Sequence, residues 1–338
     1  MNKVFLFGFV PLLIVFFWGC GNENHGPGKL NLTPLPREVV RLDVDLFSFD
    51  PANPYESLNQ LREKYGDAVD GYIEVIITRR PVPDSLVVQS IISFLETQSV
   101  RDIFGEVKQV YPDVKNFEQG IAEMCAYWKH YFPGRTLPTP VTMISGLNLP
   151  TANFDSSIFI SLDLYLGQGN KIYDFAGIER YRRKTMTPFH LLPDFTRAWL
   201  YSQFPDDPEE ADLLSEMVYQ GKILYLLDCL LPGVHDTLKI GYTEKQLGWC
   251  RQNEANMWSF FIKDNLLFSK DFQKIGRFTG ESPFTSGFNK QSPGRTGVWI
   301  GWQMVRKLMK DNPEITPEEL MQNFPAQKVL SKSKYKPR

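Results

Sequence analysis

Two acidic side chains on one apolar helix are the residues of this chain best placed to do chemistry. The sequence predicts a helix from Pro208 to Leu231, with Asp228 near the middle of its apolar stripe and Glu216 at the edge. Paired carboxylates serve general acid–base catalysis and metal binding. These two are separated by about 18 Å along a helix axis, too far to act on one bond without other segments. Since an unpartnered buried carboxylate costs several kcal/mol, we expect a structural pairing with an arginine or a helix N-terminus, with a catalytic or metal-binding role as the alternative.

A second unusual segment carries two glycines and a cation in one predicted helix, which follows a Ser-Pro-Gly turn and ends near residue 312. Gly297 and Gly301 lie on one helix face, and each costs about 1 kcal/mol relative to alanine. That cost predicts that another helix or strand packs against the bare backbone there. Arg295 lies near the helix start, where a cation is electrostatically disfavoured. We therefore expect an acid to hold it, with Asp228 and Glu216 as candidates.

Aromatic residues and one basic run are candidate contact surfaces. Trp302 shares a stripe with Val298 and Val305 and is expected in the core, whereas Trp299 lies further round the helix and is expected to be exposed. The run 179–184 contains four cations, which is typical of a solvated face and, as the lesser alternative, of a partner site.

Motifs that would identify an enzyme are absent from the sequence. The histidines are His25, His130, His190 and His235, and they lack helical metal-ligand spacing. There is no H-E-x-x-H, no G-x-S-x-G, no phosphate loop and no C-x-x-C. The sequence therefore predicts no catalytic residue, no metal and no cofactor.

The first twenty residues predict export and lipid attachment. After Lys3, an apolar run from Val4 to Trp18 ends at Gly19 and Cys20. The run is about 15 residues long, shorter than the roughly 20 of a membrane-spanning helix, and has the layout of a signal peptide. We interpret 1–19 as a lipoprotein signal and Cys20 as the acylated first residue of the mature chain. The alternative is an ordinary secretory peptide in which the cysteine is incidental.

Composition limits the function of the remaining body. The net charge of −2 argues against nucleic-acid binding, and 43% hydrophobic residues suffice for a buried core. The chain is expected to be anchored in the cell envelope only through lipid on Cys20. No dense acidic run follows that residue, which favours the periplasmic side. Cys125, Cys229 and Cys250 are expected to be buried thiols, with a Cys229–Cys250 disulfide as the lesser alternative.

The pattern along the chain indicates an α+β fold, predominantly helical, with a small sheet in mid-chain. We predict a flexible tether over 20–36, one globular domain over 37–327 and a frayed basic tail over 328–338. Strands are predicted at 39–47, 139–145 and 157–162, the last two joined by a hairpin-like link. Other helices are predicted at 54–66, 84–104 and 114–132, and from caps at Asp194, Thr243 and Thr316.

Several stretches resemble the gliding motility lipoproteins of the GldB family. The similarity extends over most of the mature chain and is strongest from about residue 155 to 312. It is carried by 161–167, 217–225, 228–232, 240–243, Trp249, 253–254, Trp258, 261–262 and 292–306. The lipoprotein signal ending at Cys20 fits the same family.

This resemblance implies an envelope lipoprotein of Bacteroidota-type bacteria, associated with gliding motility and its linked secretion apparatus. We expect a non-enzymatic scaffold or assembly factor whose partners are other envelope proteins. The alternatives are a peptidase or cell-wall hydrolase, and a lipoprotein that binds peptide or glycan through its aromatic residues. The family implies no catalytic residue at any position of this sequence.

A more remote resemblance is to the zincin peptidases, in which a strand pair precedes an H-E-x-x-H helix. Glu216 would lie where a later helix supplies a glutamate ligand. If His190 is aligned with the first ligand, Asp194 is aligned with the second ligand. Neither this alignment nor the one that begins at Asp194 yields two histidines and a glutamate. The resemblance therefore implies at most a degenerate zincin-like fold without metal.

Overall fold

The computed structural model describes residues 26–154, 156–206 and 212–337; the predicted signal peptide and Cys20 lie outside them. The helices are α1 (Leu42–Leu46), α2 (Pro54–Tyr65), α3 (Asp67–Tyr72, followed by a π-helical segment over Ile73–Thr78), α4 (Asp84–Glu96), α5 (Gln98–Val110), α6 (Lys115–Tyr131), α7 (Lys171–Phe175), α8 (Arg180–Arg183), α9 (Leu191–Gln203), α10 (Leu213–Leu230), α11 (Asp236–Ile240), α12 (Glu244–Lys263), α13 (Phe272–Thr279), α14 (Thr296–Asp311), α15 (Pro317–Asn323) and α16 (Ala326–Ser333). The strands are β1 (Val40–Arg41), β2 (Thr139–Met143), β3 (Thr151–Phe154) and β4 (Ser157–Ser161).

The four strands form one mixed sheet in the order β1-β2-β4-β3. β2 runs parallel to both β1 and β4, and β3 pairs antiparallel with β4. The hairpin is therefore β3–β4, and the hairpin-like link predicted between the β2 and β4 segments is wrong. The link contains a strand of its own, Thr151–Phe154, which reverses the direction of the chain. The α+β class itself is confirmed.

The sheet separates two apolar cores. On β4, Phe159 packs into one core with α1 to α4, while Ile158 and Ile160 point into the other. This alternation is the consequence of the two-residue period of a strand. The second core is the larger and contains α6, α9, α10, α12 and α14. Helices thus cover both faces of the sheet.

Two predicted elements in the N-terminal half differ from the structure. The strand predicted over 39–47 is strand only at Val40–Arg41 and then becomes α1. Asp43, which alternation places towards solvent, is fully buried because its carboxylate accepts hydrogen bonds from Arg41 and from the Thr142 hydroxyl. The helix predicted over 84–104 is broken at Thr97, whose backbone is extended and separates α4 from α5.

The start of α9 lies earlier than predicted. α9 begins at Leu191, so Asp194 lies within the first turn and is not the N-cap, which is His190. Pro193 is tolerated in this turn because the first amides of a helix have no intrahelical acceptor. The capping box predicted at Thr243 and the cap predicted at Thr316 are confirmed, and the structure shows that the latter is also a capping box.

Both predicted flexible ends are packed where the structure describes them. In the predicted tether, the Tyr127 hydroxyl bonds both the amide and the carbonyl of Leu30, and the Leu35 amide donates to the Ala122 carbonyl. The tail predicted to fray from Lys328 is instead helical as far as Ser333, where α16 ends. Its residue Val329 is fully buried.

The thiols Cys125, Cys229 and Cys250 are free and buried, as predicted, and the alternative disulfide does not form. Within the described residues, no helix is both long and apolar enough to cross a lipid bilayer.

Candidate functional site at the contact between α10 and α14

The close approach predicted at the two glycines of α14 is confirmed, with the α10 backbone next to Gly301 and the α13 backbone nearest to Gly297. A methyl group at Gly301 would overlap the carbonyl group of Met217, and one at Gly221 would overlap the Gly301 carbonyl group. At Gly297, a methyl group would lie 3.0 Å from the Phe278 carbonyl oxygen. The helices therefore meet backbone to backbone, which only glycine permits at Gly301.

Near this contact, Asp228 of α10 is the centre of a buried polar cluster. Its Oδ1 accepts hydrogen bonds from Lys239 Nζ at 2.9 Å and Arg306 Nη2 at 2.8 Å. Its Oδ2 accepts from Arg306 Nε at 2.8 Å and from Trp302 Nε1 at 3.0 Å. The side chain of Asp228 is 1% exposed, that of Lys239 5% and that of Arg306 6%. The predicted ion pairing of Asp228 is confirmed.

Arg306 connects this buried cluster to the surface. Its guanidinium also donates two hydrogen bonds of 2.8 Å to Asp236, and it stacks on the Trp302 ring with Cζ 3.5 Å from the centroid. Burial alone lowers the pKa of Arg306, but the carboxylates of Asp228 and Asp236 outweigh it and raise the pKa above its ordinary value. The cation is therefore fixed in its charged form.

Arg295 does not have the predicted partners. Its Nη1 pairs with Glu281 Oε1 at 2.9 Å and donates to the Ile240 carbonyl, so the pairing with Asp228 or Glu216 is wrong. Arg295 is the N-cap of α14 and adopts a left-handed backbone with φ of 61°. In that conformation its side chain reaches Glu281 in the loop before α14, and this carboxylate offsets the unfavourable position of a cation at a helix start.

Glu216 lies apart from the Asp228 cluster. Its Oε1 accepts a hydrogen bond from Gln220 Nε2 at 3.1 Å, and Gln220 Oε1 in turn accepts one from the Tyr201 hydroxyl. Burial raises the pKa of Glu216. Its partner is thus a side-chain amide one turn further along the helix, and not the arginine or helix N-terminus that the sequence predicts.

The residues aligned with the zincin signature have partners of their own. Asp194 pairs with Arg197 at 2.6 Å and accepts a hydrogen bond from the Tyr165 hydroxyl at 3.0 Å. His190 is buried, with Nδ1 2.9 Å from the Thr187 hydroxyl, and burial lowers its pKa. In the ranges 26–154, 156–206 and 212–337, no three His, Cys, Asp or Glu side chains gather as a metal site would require.

Comparison with known proteins settles the family. Residues 28–337 match the family described as gliding motility protein GldB. The chain belongs to the GldB family. The resemblance drawn from the sequence is therefore confirmed, and it associates the chain with gliding motility. No curated protein and no solved structure matches, so the likeness to zincins stays a prediction.

In this GldB-family chain, the prediction that Trp299 is exposed is wrong. It is 3% exposed, because α14 is covered by α12 and α16 as well as by α10. It instead forms part of the wall of a surface pocket next to Arg306. The basic run contains α8, where Arg180 and Arg182 are exposed and Arg183 pairs with Asp174.

Sequence reasoning missed Arg306, Lys239 and Asp236, which complete the polar cluster. A signal for Arg306 was present in the sequence. It lies one helical turn after Trp302 and next to Val305, so helical spacing places a cation beside the apolar stripe of α14. Lys239 and Asp236 gave no such signal, because they belong to the five-residue helix α11.

Proposed function

We propose that this chain is a non-catalytic lipoprotein of the cell envelope that supports gliding motility, or the protein secretion linked to it, as a scaffold or assembly factor. Lipid on Cys20 would hold it at the membrane with the body on the periplasmic side. Its partners would be other envelope proteins. Membership of the GldB family supports the association with motility.

The hydrogen bonds and the burial of Asp228 support the non-catalytic part of the proposal. All four of its hydrogen bonds come from Lys239, Arg306 and Trp302, so its carboxylate is saturated with donors. A general base needs to reach the proton it abstracts within hydrogen-bond distance. A carboxylate that is 1% exposed and held in this way serves packing instead.

The alternative of a peptidase or cell-wall hydrolase would depend on Glu216, the acid of α10 that is not in an ion pair. Glu216→Gln keeps the size of the side chain and the contact with Gln220. Because we assign Glu216 no chemistry, we expect this variant to replace the wild-type chain in cells without loss of motility or secretion. Loss of both, at unchanged protein level and melting temperature, would support the enzyme.

The scaffold role is tested by a crosslinked pull-down of the full chain from membranes, with Cys20→Ala as the control. We expect the wild type to recover envelope proteins of the motility or secretion apparatus, and Cys20→Ala to lose both membrane association and those partners. Recovery of no envelope protein by the wild type contradicts the scaffold role.

A further inference from the structure

A surface pocket of about 530 Å³ opens beside the Asp228 cluster. Arg306, which belongs to that cluster, also lines the pocket. One wall is the face of α12 that carries Leu247, Arg251 and Glu254. A second wall belongs to α14, and the third is formed by Tyr335 and the two residues after it. Its volume falls within the range of about 300–1,000 Å³ that is typical of ligand sites.

Two of the three acids that line the pocket are paired with cations of the protein itself. Asp236 pairs with Arg306, and Asp311 pairs with Lys307 at 2.5 Å. With these pairs formed, the two acids add no unpaired negative charge on the α11 and α14 side of the pocket, where the remaining lining charges are cations.

Three lining cations are not matched in this way. Arg251, Lys310 and Lys336 are exposed, and among the residues that the structure describes none of them has an acidic partner. They lie on α12, on α14 and after α16, so that each wall contributes one positive charge. The chain as a whole has a net charge of −2, which makes this a local and not a general excess of positive charge.

The unmatched cations lie on three different walls of the pocket. Apolar side chains lie between them, of which Pro337 is partly exposed, whereas Leu247 and Trp299 are almost fully buried. A compact anion such as phosphate would contact the cation of one wall at a time. An extended peptide with several carboxylates can meet the cations of all three walls.

We propose that this pocket binds an acidic segment of a partner protein. The identification of the ligand as a protein segment rests on the proposed scaffold role, whereas the selectivity for carboxylates rests on Arg251, Lys310 and Lys336.

Glu254 provides an internal check, because it is the one lining acid without a basic partner among the described residues. Its carboxylate accepts a hydrogen bond from the Tyr335 hydroxyl, and burial raises its pKa. When ionised it repels an acidic ligand. Glu254→Gln keeps an acceptor for Tyr335 and removes the charge, so this variant should bind an acidic peptide about threefold or more tighter at neutral pH.

The test is a fluorescence anisotropy titration of the full chain in detergent with a labelled hexapeptide of alternating glutamate and phenylalanine. The matched peptide has glutamine in place of glutamate and the same apolar content. We expect the glutamate peptide to bind at least tenfold tighter at low salt and to weaken as salt is added. The double variant Arg251→Glu/Lys310→Glu should lose tenfold or more in affinity, and Arg180→Glu/Arg182→Glu, on the exposed α8, should stay within twofold of the wild type.

Equal affinity for the two peptides, or equal loss in both double variants, would overturn the proposal. Inorganic phosphate that binds as tightly as the glutamate peptide would overturn the assignment to a peptide. If the charge reversal lowers the melting temperature, Arg251→Gln/Lys310→Gln replaces it as the test variant. Its affinity for the glutamate peptide should still fall about threefold or more.

The membrane pull-down separates this proposal from the scaffold role. If the wild type and the pocket variant recover the same envelope proteins, the pocket assignment fails and the scaffold role stands. If the wild type recovers none, the scaffold role fails, and the peptide titration still decides whether the pocket selects carboxylates.

Discussion

The guanidinium of Arg306 and the carboxylate of Asp228 form two hydrogen bonds of 2.8 Å inside the contact between α10 and α14. The pair joins residues 78 positions apart in the chain. A buried charge pair with fixed geometry tolerates only one register of the two helices, because a shift of one turn would leave both charges buried and unpaired. Together with the glycine contact at Gly301, it explains how this helix pair is aligned.

We expect Asp228→Asn to lower the free energy of unfolding by about 3–5 kcal/mol. The amide would leave Arg306 and Lys239 without their common anion and would turn an N–H group towards one of these donors. Urea denaturation measures the loss. Asp311→Asn is the control, since its pair with Lys307 is solvent-exposed and contributes less than about 1 kcal/mol. Equal costs for the two variants would show that the buried cluster has no special weight.

The glycine contact predicts opposite effects for two glycine-to-alanine substitutions. Gly301→Ala should destabilise the chain by about 3 kcal/mol, because its methyl group would overlap the Met217 carbonyl and force α10 and α14 apart. Gly248 lies inside α12 with no atom within 4 Å of an added methyl group. Gly248→Ala should therefore stabilise by about 0.5–1 kcal/mol through helix propensity. Thermal unfolding checks both signs, and a neutral Gly301→Ala contradicts the contact.

Asp163 predicts a pH dependence of stability. Its carboxylate accepts hydrogen bonds from the amides of Ser145 and Leu147, and burial, the dominant cause, raises its pKa from 3.8 to about 6. Between these values the unfolded chain releases a proton that the native chain keeps, so the stabilising contribution of Asp163 is fully present below about pH 3.8 and is lost as pH rises through about 6. Comparing urea midpoints of wild type and Asp163→Asn from pH 4 to 7 isolates this contribution. A difference between them that does not change with pH would refute it.

Local signals correctly predicted the caps at Thr243 and Thr316, though not the one at Asp194, and the glycine contact. The pairs Thr243 with Gln246 and Thr316 with Glu319 form capping boxes that depend on residues three positions apart. The cost of Gly301 in a helix indicates a close neighbour without identifying it. Such features are set by nearby residues and by the propensity of the backbone, and both are present in the sequence.

Tertiary partners explain what the sequence did not predict. Asp228 was expected to need a cation, but the choice between Arg295 and Arg306 depends on how α14 is rotated against α10. Arg295 faces Glu281 instead, which lies in the loop before the helix. The burial of Asp43 depends likewise on Thr142 of a strand about a hundred residues away. Neither partner can be chosen from spacing within one element.

The end of the chain gives the last prediction, because its lysines suggested a frayed tail and the structure contains α16. Tyr335 is 7% exposed, its ring packs edge-on against Trp258 at 5.1 Å, and its hydroxyl donates to Glu254. Tyr335→Ala should therefore cost about 3–5 kcal/mol, as for other buried aromatic residues. Gln327→Ala, on the exposed side of α16, should change stability by less than about 0.5 kcal/mol. Chemical denaturation of both variants distinguishes a packed end of the chain from a frayed tail, because truncating Tyr335 in a frayed tail would cost no more than the control.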